Sequence, residues 1–299
     1  MVTIVGSTNL DQIGRVAHLP NPGETILCRS FATTGGGKGA NQALAARLAG
    51  ANVRHVSAVG SDLFADEALS LLETAGVDLS HVMRVPGPTG LALILVDGAG
   101  ENTIAVLAGA NAALSTGQID AALADIAPGS VVMAQQEIPQ EATIRALAIA
   151  RQKGAIGILN VAPMLDDTAS AASEAAIVIA NESEFAVLCG GEAGPLEAVM
   201  REWAARRQQT LIVTLGEKGA VAATPTGVII HVPALAVEPV DTVGAGDTFC
   251  GYFAAALEAG LNLEQALRRA VVAASLACQN EGAQPSIPYA QQVDPAQPA

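Results

Sequence analysis

The stretch Asp241-Thr242-Val243-Gly244-Ala245-Gly246-Asp247-Thr248 puts turn glycines, a carboxylate and a helix start in one place. Downstream, Phe249, Phe253, Ala256 and Leu257 recur at helical spacing, which predicts a helix over about 246–260. Two glycines around one alanine let the chain turn tightly, and the first turn of a helix leaves its N–H donors unpaired. Gly244, Ala245 and Gly246 can therefore form an anion hole. The helix dipole favours the charged form of Asp247 by ~0.3–1 kcal/mol. Two readings fit. In one, Asp247 is a first-turn acid closing a tight connection. In the other the loop transfers a phosphoryl group, its N–H donors holding developing charge while Asp247 receives a hydroxyl proton.

A second glycine loop, Gly35-Gly36-Gly37-Lys38-Gly39-Ala40-Asn41-Gln42, opens an Ala/Leu-rich helix that ends at Gly50. Lys38 is followed by glycine, and the position five before Gly37 is Ala32, so this is not a Walker A loop. Ala40 stands where a dinucleotide fingerprint needs its third glycine. What remains is close backbone approach to a small polar ligand, with Lys38 and Asn41 as donors. Near the N-terminus, an apolar strand over 2–5 runs into Gly6-Ser7-Thr8-Asn9-Leu10-Asp11. Asn9 and Asp11 alternate as on one strand face. They are either ordinary turn formers or an amide and a carboxylate suited to neighbouring sugar hydroxyls.

Strands are expected at 53–59, 131–134, 156–160, 177–180 and 210–214, with helices over 63–74, 140–153, 195–207 and 263–279. That alternation is an α/β pattern, a doubly wound, mostly parallel sheet flanked by helices. No linker divides the chain, so 1–299 reads as a single domain. Between 82 and 110 the pattern changes to strands at 82–85, 91–96 and 103–107 without helices. These are expected to leave the main sheet as an antiparallel ribbon. It is an ordinary peripheral hairpin or a lid. The apolar character of 91–96 on both alternating faces favours a lid, because the parent domain can cover only one.

Hydrophobic residues make up 51% and charged residues 15% of the 299, enough for a large core, while aromatics are only 3%. The formal net charge of -14, without a basic run, argues against nucleic acid. Cys28, Cys189, Cys250 and Cys278 are widely spaced, which suggests free thiols in a reducing compartment and no zinc. The N-terminus shows no charged-then-apolar leader, and the longest uncharged stretch, 220–237, is interrupted by Pro225, Gly227 and Pro233, so no membrane span and a cytoplasmic location are expected.

The segment from Asp241 through Phe249 resembles the signature of the ribokinase-type, or phosphofructokinase B-type, carbohydrate kinases, Asp-Thr-x-Gly-Ala-Gly-Asp-x-Phe. Gly36-Gly37-Lys38-Gly39-Ala40-Asn41-Gln42-Ala43, Gly6-Ser7-x-Asn9-x-Asp11 and Pro22-Gly23-Glu24-Thr25 extend the resemblance over nearly the full chain. It implies an ATP-dependent phosphotransferase, with Asp247 as catalytic base. An aspartate is a poor base toward an alcohol, so it would take the proton late and mainly orient the nucleophile. The resemblance places the sugar on Asn9, Asp11, Gly37, Lys38, Gly39, Ala40 and Asn41. Glu137, on its own a helix-start surface acid, aligns with an acidic sugar contact. Asn181 would meet nucleotide phosphate, and Glu184 would organise Mg2+ through water. Thr214, Leu215, Gly216, Glu217, Lys218 and Gly219, which also read as a hairpin turn, would contact ATP with Gly246 and Asp247. Val271 would line the adenine pocket, its apolar side chain offering adenine no hydrogen bond.

By the same resemblance a monovalent cation, K+ above Na+, would sit beside the anion hole. Asp241, which has no obvious partner in the sequence, would meet it with Val243, Ala277, Asn280, Gly282 and Ser286. The alternative is that Asp241 only caps its own turn. The strands over about 9–36 and 82–110 would form a β lid over the sugar and a homodimer contact. Ribose, phosphorylated at O5, is the expected acceptor. Fructose, deoxyribose, a keto-deoxy sugar acid or a nucleoside remain alternatives within the family, and a sensor without turnover stands outside it. The tail from about 292 is expected to be loose.

Overall fold

The computed structural model describes residues 1–191 and 194–296. In chain order its strands are β1 (Val2–Val5), β2 (Asn9–Arg15), β3 (Ser30–Gly36), β4 (Val53–Gly60), β5 (Asp78–Val85), β6 (Gly90–Val96), β7 (Asn102–Leu107), β8 (Val131–Ala134), β9 (Ile156–Asn160), β10 (Ile177–Asn181), β11 (Thr210–Thr214), β12 (Ala220–Ala223) and β13 (Ile229–Val232). Nine of them form one sheet in the order β13-β12-β11-β10-β9-β8-β1-β4-β5. From β11 to β5 every pairing is parallel, and β12 and β13 add an antiparallel edge.

Both faces of this sheet are covered, which is why its strands read as continuous apolar runs. Val2, Ile4, Val131 and Met133 pack on one side against helices Lys38–Leu48, Ala245–Glu258 and Leu263–Ala277. Val5, Val132, Leu159 and Val178 face the other side, toward helices Gln140–Gln152 and Leu196–Arg207. From β1 the chain winds one way through β4 and β5 and the other way through β8 to β11. The reversal between β1 and β8 opens a crevice at the carboxyl ends of the strands.

Glycine 251 sets the closest helix contact. A Cβ there would lie 2.5 Å from both Gln42 O and Ala45 Cβ, so only glycine lets helix Ala245–Glu258 lie this close to helix Lys38–Leu48. Both helices begin at the crevice, and their first turns face each other.

A second sheet runs β3-β2-β6-β7. It corrects the expected ribbon in two ways. Residues 82–85 belong to β5, an edge strand of the main sheet. The central pair β2 and β6 is parallel, from Asn9 opposite Gly90 to Arg15 opposite Val96, and only the outer pairs β2/β3 and β6/β7 are antiparallel. The reason is topological: β1 and β5 point the same way, and each runs after a few residues into a strand leaving the main sheet. Phe31, Leu93, Ile104 and Val106 are exposed on this second sheet.

The C-terminal segment is better anchored than expected. Tyr252 donates its hydroxyl proton to Pro288 O at 2.6 Å, Val293 is buried, and Arg269 pairs with Asp294 at 2.8 Å. The last part of the tail expected to be loose, 297–299, lies outside the described residues.

Candidate active site

Asn160, Asn181 and Thr214 are the last residues of β9, β10 and β11, and all three line a cleft of about 170 Å³. Lys38, Glu184, Gly244, Gly246 and Asp247 complete its polar wall. The two glycine loops, far apart in sequence, thus meet across the ends of the parallel strands.

Asp247 is 8% exposed, and two side-chain amides hold it. Asn41 Nδ2 donates to Oδ2 at 2.9 Å and Gln42 Nε2 donates to Oδ1 at 2.9 Å. The close packing of helices at Gly251 brings those amides within reach. Gly244 has a φ of 76°, and a Cβ on it would meet Ala283 at 2.7 Å, so this N-cap position requires glycine. Ala245 N–H is taken by Thr242 O and Thr248 N–H by Gly244 O. Within the first turn, the N–H groups of Gly246 and Asp247 have no backbone acceptor among the described residues. The sequence named Ala245 as a hole donor, and here its N–H closes the turn instead.

Electrostatically the crevice is a carboxylate cluster with one lysine. Burial, then the charges of Glu137 and Asp247, raises Asp11 from its ordinary value to about 7. Lys38 is held above the usual lysine range by Asp247, against the opposing effect of burial, with help from Glu137 and Glu184. It is therefore a fixed cation. Glu137 accepts from Ser7 Oγ at 2.5 Å and from Lys38 N at 3.0 Å, so it clamps the β1 and glycine loops together instead of projecting as a surface acid.

Asn9, 3% exposed, is oriented by a residue that no motif singled out. Asn111 Nδ2 donates to Asn9 Oδ1 at 2.7 Å while its own Oδ1 accepts from Thr8 N at 2.9 Å. Asn9 therefore keeps its N–H2 end as the free donor. Beneath it Thr8 Oγ1 bonds His55 Nε2 and Ser57 Oγ at 2.9 and 2.8 Å. Burial lowers His55 to about 4, so this support is neutral near pH 7.

Asn181 and Glu184 form a reciprocal capping box on helix Glu182–Leu188, each side chain accepting from the other's backbone N–H at 2.8 Å. Helix capping thus explains their spacing, and both residues also line the cleft. Thr214 lines it too, whereas Gly216, Glu217 and Lys218 form an exposed turn closed by Leu215 N–H donating to Gly219 O at 2.7 Å. Val271 is 4% exposed and packed in the core.

Asp241 has partners that the sequence did not reveal. Its Oδ1 accepts from Val243 N at 3.0 Å and its Oδ2 from Gly282 N at 2.9 Å, so it joins the two loops expected to flank a cation. Ala277 O accepts from Asn280 N at 3.2 Å, and Ser286 Oγ donates to Ala283 O at 2.9 Å. Among the described residues no group of three or more His, Cys, Asp or Glu is placed to hold a metal ion.

The residues missed are all amides: Gln42, Asn111, Gln135 and Asn160. Gln135 and Asn160 did carry a signal, as polar residues at the carboxyl ends of apolar strands, where open α/β sheets bind ligands.

The sequence matches the pfkB family carbohydrate kinases over residues 1–290. It is 34% identical over 296 residues to a deoxyribokinase of Salmonella typhimurium, covering 97% of this chain and 96% of that protein. Among solved structures it is similar to the ribokinase of Thermotoga maritima, with a TM-score of 0.90 and 33% identity over 98% of each chain. It is also similar to an Arabidopsis thaliana ribokinase complexed with ribose and ATP, with a TM-score of 0.87, 30% identity, and coverage of 98% of this chain and 97% of that one.

Proposed function

The chain belongs to the pfkB family of carbohydrate kinases and is a phosphotransferase acting on an alcohol group, and from that premise we propose that its acceptor is O5 of D-ribose. ATP is the donor. The observation that carries this reading is the pairing, on one strand next to Asp247, of a donor amide fixed by Asn111 and a buried acceptor, Asp11. A sugar with vicinal hydroxyls satisfies both. One lacking a hydroxyl leaves a buried polar group unpaired, which costs about 1–3 kcal/mol.

In this reading Asn9, Asp11, Lys38, Asn41 and Glu137, with the backbone of Gly37, Gly39 and Ala40, hold the sugar. Its O5 lies against Asp247, which takes the proton as the bond to phosphorus forms. The unpaired N–H groups of Gly246 and Asp247, with Lys38, meet the charge that develops on the transferred group. Mg2+ needs few protein ligands, and Glu184, with one carboxylate oxygen outside its capping box, would hold it through water, where it would supply positive charge against the phosphates. Thr214 to Gly219, Asn181 and Val271 would border the nucleotide.

The Asp241 loop pair suits a large, weakly hydrated cation. Each oxygen of Asp241 takes one N–H and keeps a lone pair, and the carbonyls of Val243, Ala277, Asn280 and Gly282 with the Ser286 hydroxyl could complete the shell. Such an ion would fix the loop that carries Gly244 to Gly246, so its effect belongs in kcat. Initial rates in K+, Na+ and choline at constant ionic strength test this. K+ activation lost in Asp241→Ala supports the site, and equal wild-type rates in K+ and choline refute it. A cytoplasmic location completes the proposal. Among the described residues no helix is long and apolar enough to cross a membrane.

The deoxyribokinase relative favours one second reading, in which 2-deoxyribose is the better acceptor. ADP release with ribose, 2-deoxyribose, fructose, adenosine and no sugar separates the two. Ribose should give the highest kcat/KM; a higher value for any other acceptor would replace it.

A further inference from the structure

We infer that Gln42 is a positioning residue for the transfer, holding the Asp247 carboxylate aimed at the acceptor hydroxyl. The inference rests on the reading of Asp247 as proton acceptor. Gln42 is fully buried, so it can reach the reaction only through what it touches. It touches Asp247 Oδ1.

Both N–H donors and one oxygen lone pair of the Gln42 amide are engaged. Its Oε1 accepts from Gln135 Nε2 at 2.5 Å, and its Nε2 donates to Asn160 Oδ1 at 3.1 Å as well as to Asp247 at 2.9 Å. Asn160 is oriented in turn by its Nδ2 donating to Ile179 O at 3.4 Å. Gln135 lies against the β1 loop, where a Cβ on Gly6 would lie 1.9 Å from its Oε1, an oxygen itself buried without a partner among the described residues, so the direction of the Gln42 amide is set by Asp247 and Asn160. Reversing the Gln42 amide would set its oxygen against those of Asp247 and Asn160 and face two N–H2 groups at Gln135. One orientation therefore survives, and it ends in an N–H on the carboxylate.

Asn41, the other donor to Asp247, is not fixed in this way. Its Oδ1 is buried without a partner, so nothing but Asp247 sets the direction of its amide. Asn41 is also proposed to meet the sugar, which can draw its N–H away. Gln42 remains as the standing donor.

The groups acting on this site explain why a standing donor is needed. Asp11 and Glu137 are like charges within the same cluster and Glu184 lies on the cleft wall, while Lys38 supplies positive charge. Cys250, on the same helix as Asp247, is buried as a neutral thiol. In this crowded cluster a donor fixed on Asp247 Oδ1 sets which lone pairs of the carboxylate are left to face the acceptor hydroxyl.

The test is a double-mutant cycle with pH profiles. Gln42→Met keeps side-chain length and removes the donor. It should lower kcat about ten- to hundredfold, the scale of a lost hydrogen bond to a charged group, with the KM for ATP little changed. The acid limb of its kcat–pH profile should move up by about one unit, since losing the donor makes the carboxylate form harder to keep. In an Asp247→Asn background the same change should cost nothing further. Gln135→Met, which leaves Gln42 in place but takes the donor from its Oε1, should shift the same limb by less. It carries the test if Gln42→Met does not fold by circular dichroism. Equal losses in both backgrounds, or an unmoved acid limb, would overturn the inference. Near-wild-type kcat for Asp247→Asn alone would overturn the reading of Asp247 and the inference with it, whereas a crippled Asp247→Asn beside an undiminished Gln42→Met overturns the inference alone.

Discussion

Asp247 and Asp11 are two carboxylates 8% exposed in one crevice, and their surroundings divide the work between them. Asp247 has a donor on each oxygen. Asp11 has burial and two neighbouring negative charges, which raise it to about 7. Asp247→Asn should keep sugar and ATP binding by calorimetry but lower kcat by roughly 10²–10⁴, the usual span for a positioned base. A mutant turning over at the wild-type rate removes Asp247 from the mechanism. For Asp11 the sign follows from its state: below about pH 7 the free protein holds a proton there, and a sugar hydroxyl donating to the carboxylate favours the charged form. Sugar binding should therefore release a proton below pH 7, and affinity should rise with pH up to about 7 and level off above it. Calorimetry in buffers of different ionisation enthalpy reads this directly, and Asp11→Asn should abolish it. Binding with no proton exchange at pH 6 would assign the sugar contact elsewhere. The chemistry-bearing residues stood out in the sequence because glycine loops flank them. Gln42, although quoted within one of those loops, drew no role, and Asn111 was not singled out, because a buried amide is recognised only by its partners, and these lie 205 and 102 residues away.

At the scale of elements, the alternation of strand and helix was legible because both faces of the main sheet are buried and its strands are continuously apolar. The second sheet was legible only in part. Strand β2 lies in a polar stretch, Asn9–Arg15, where only the alternation of Asn9 and Asp11 pointed to a strand, and the direction of β2 against β6 is set by where β1 and β5 deliver the chain, which no local pattern records. Pairing places Phe31 and Leu93 on one face of this sheet and Ile104 and Val106 on the other, the face of Asp11. Exposed apolar residues on both faces fit a lid that covers sugar and pairs with a second copy. Light scattering should give a dimer, and Leu93→Asp a monomer with weaker sugar binding; a wild-type monomer whose β6 amides exchange freely would exclude the lid contact. The close contact at Gly251 makes a separate prediction. Gly251→Ala should cost about 1–3 kcal/mol by overpacking, and kcat should fall further than a surface change of equal stability cost, because Asn41, Gln42 and Asp247 move apart. Thermal melting with turnover checks both, and an unchanged kcat in a destabilised variant would show that the helix spacing does not tune the site.

Across the whole molecule, a net charge of -14 surrounds a site meant for a polyanion, so positive potential must be made locally. Lys38 and the first-turn N–H groups of helix Ala245–Glu258 are what the fold brings to the cleft for that purpose, and the reversal between β1 and β8 opens the crevice in which they meet. In the proposed reaction a phosphoryl group passes from ATP to a primary hydroxyl of ribose held against Asp247. Proton-coupled 31P NMR of a reaction with D-ribose and ATP tests it most directly. The expected product is a new phosphomonoester whose resonance is split by two methylene protons, formed together with ADP. A resonance split by the single anomeric proton, or ADP and inorganic phosphate without an ester, would contradict it.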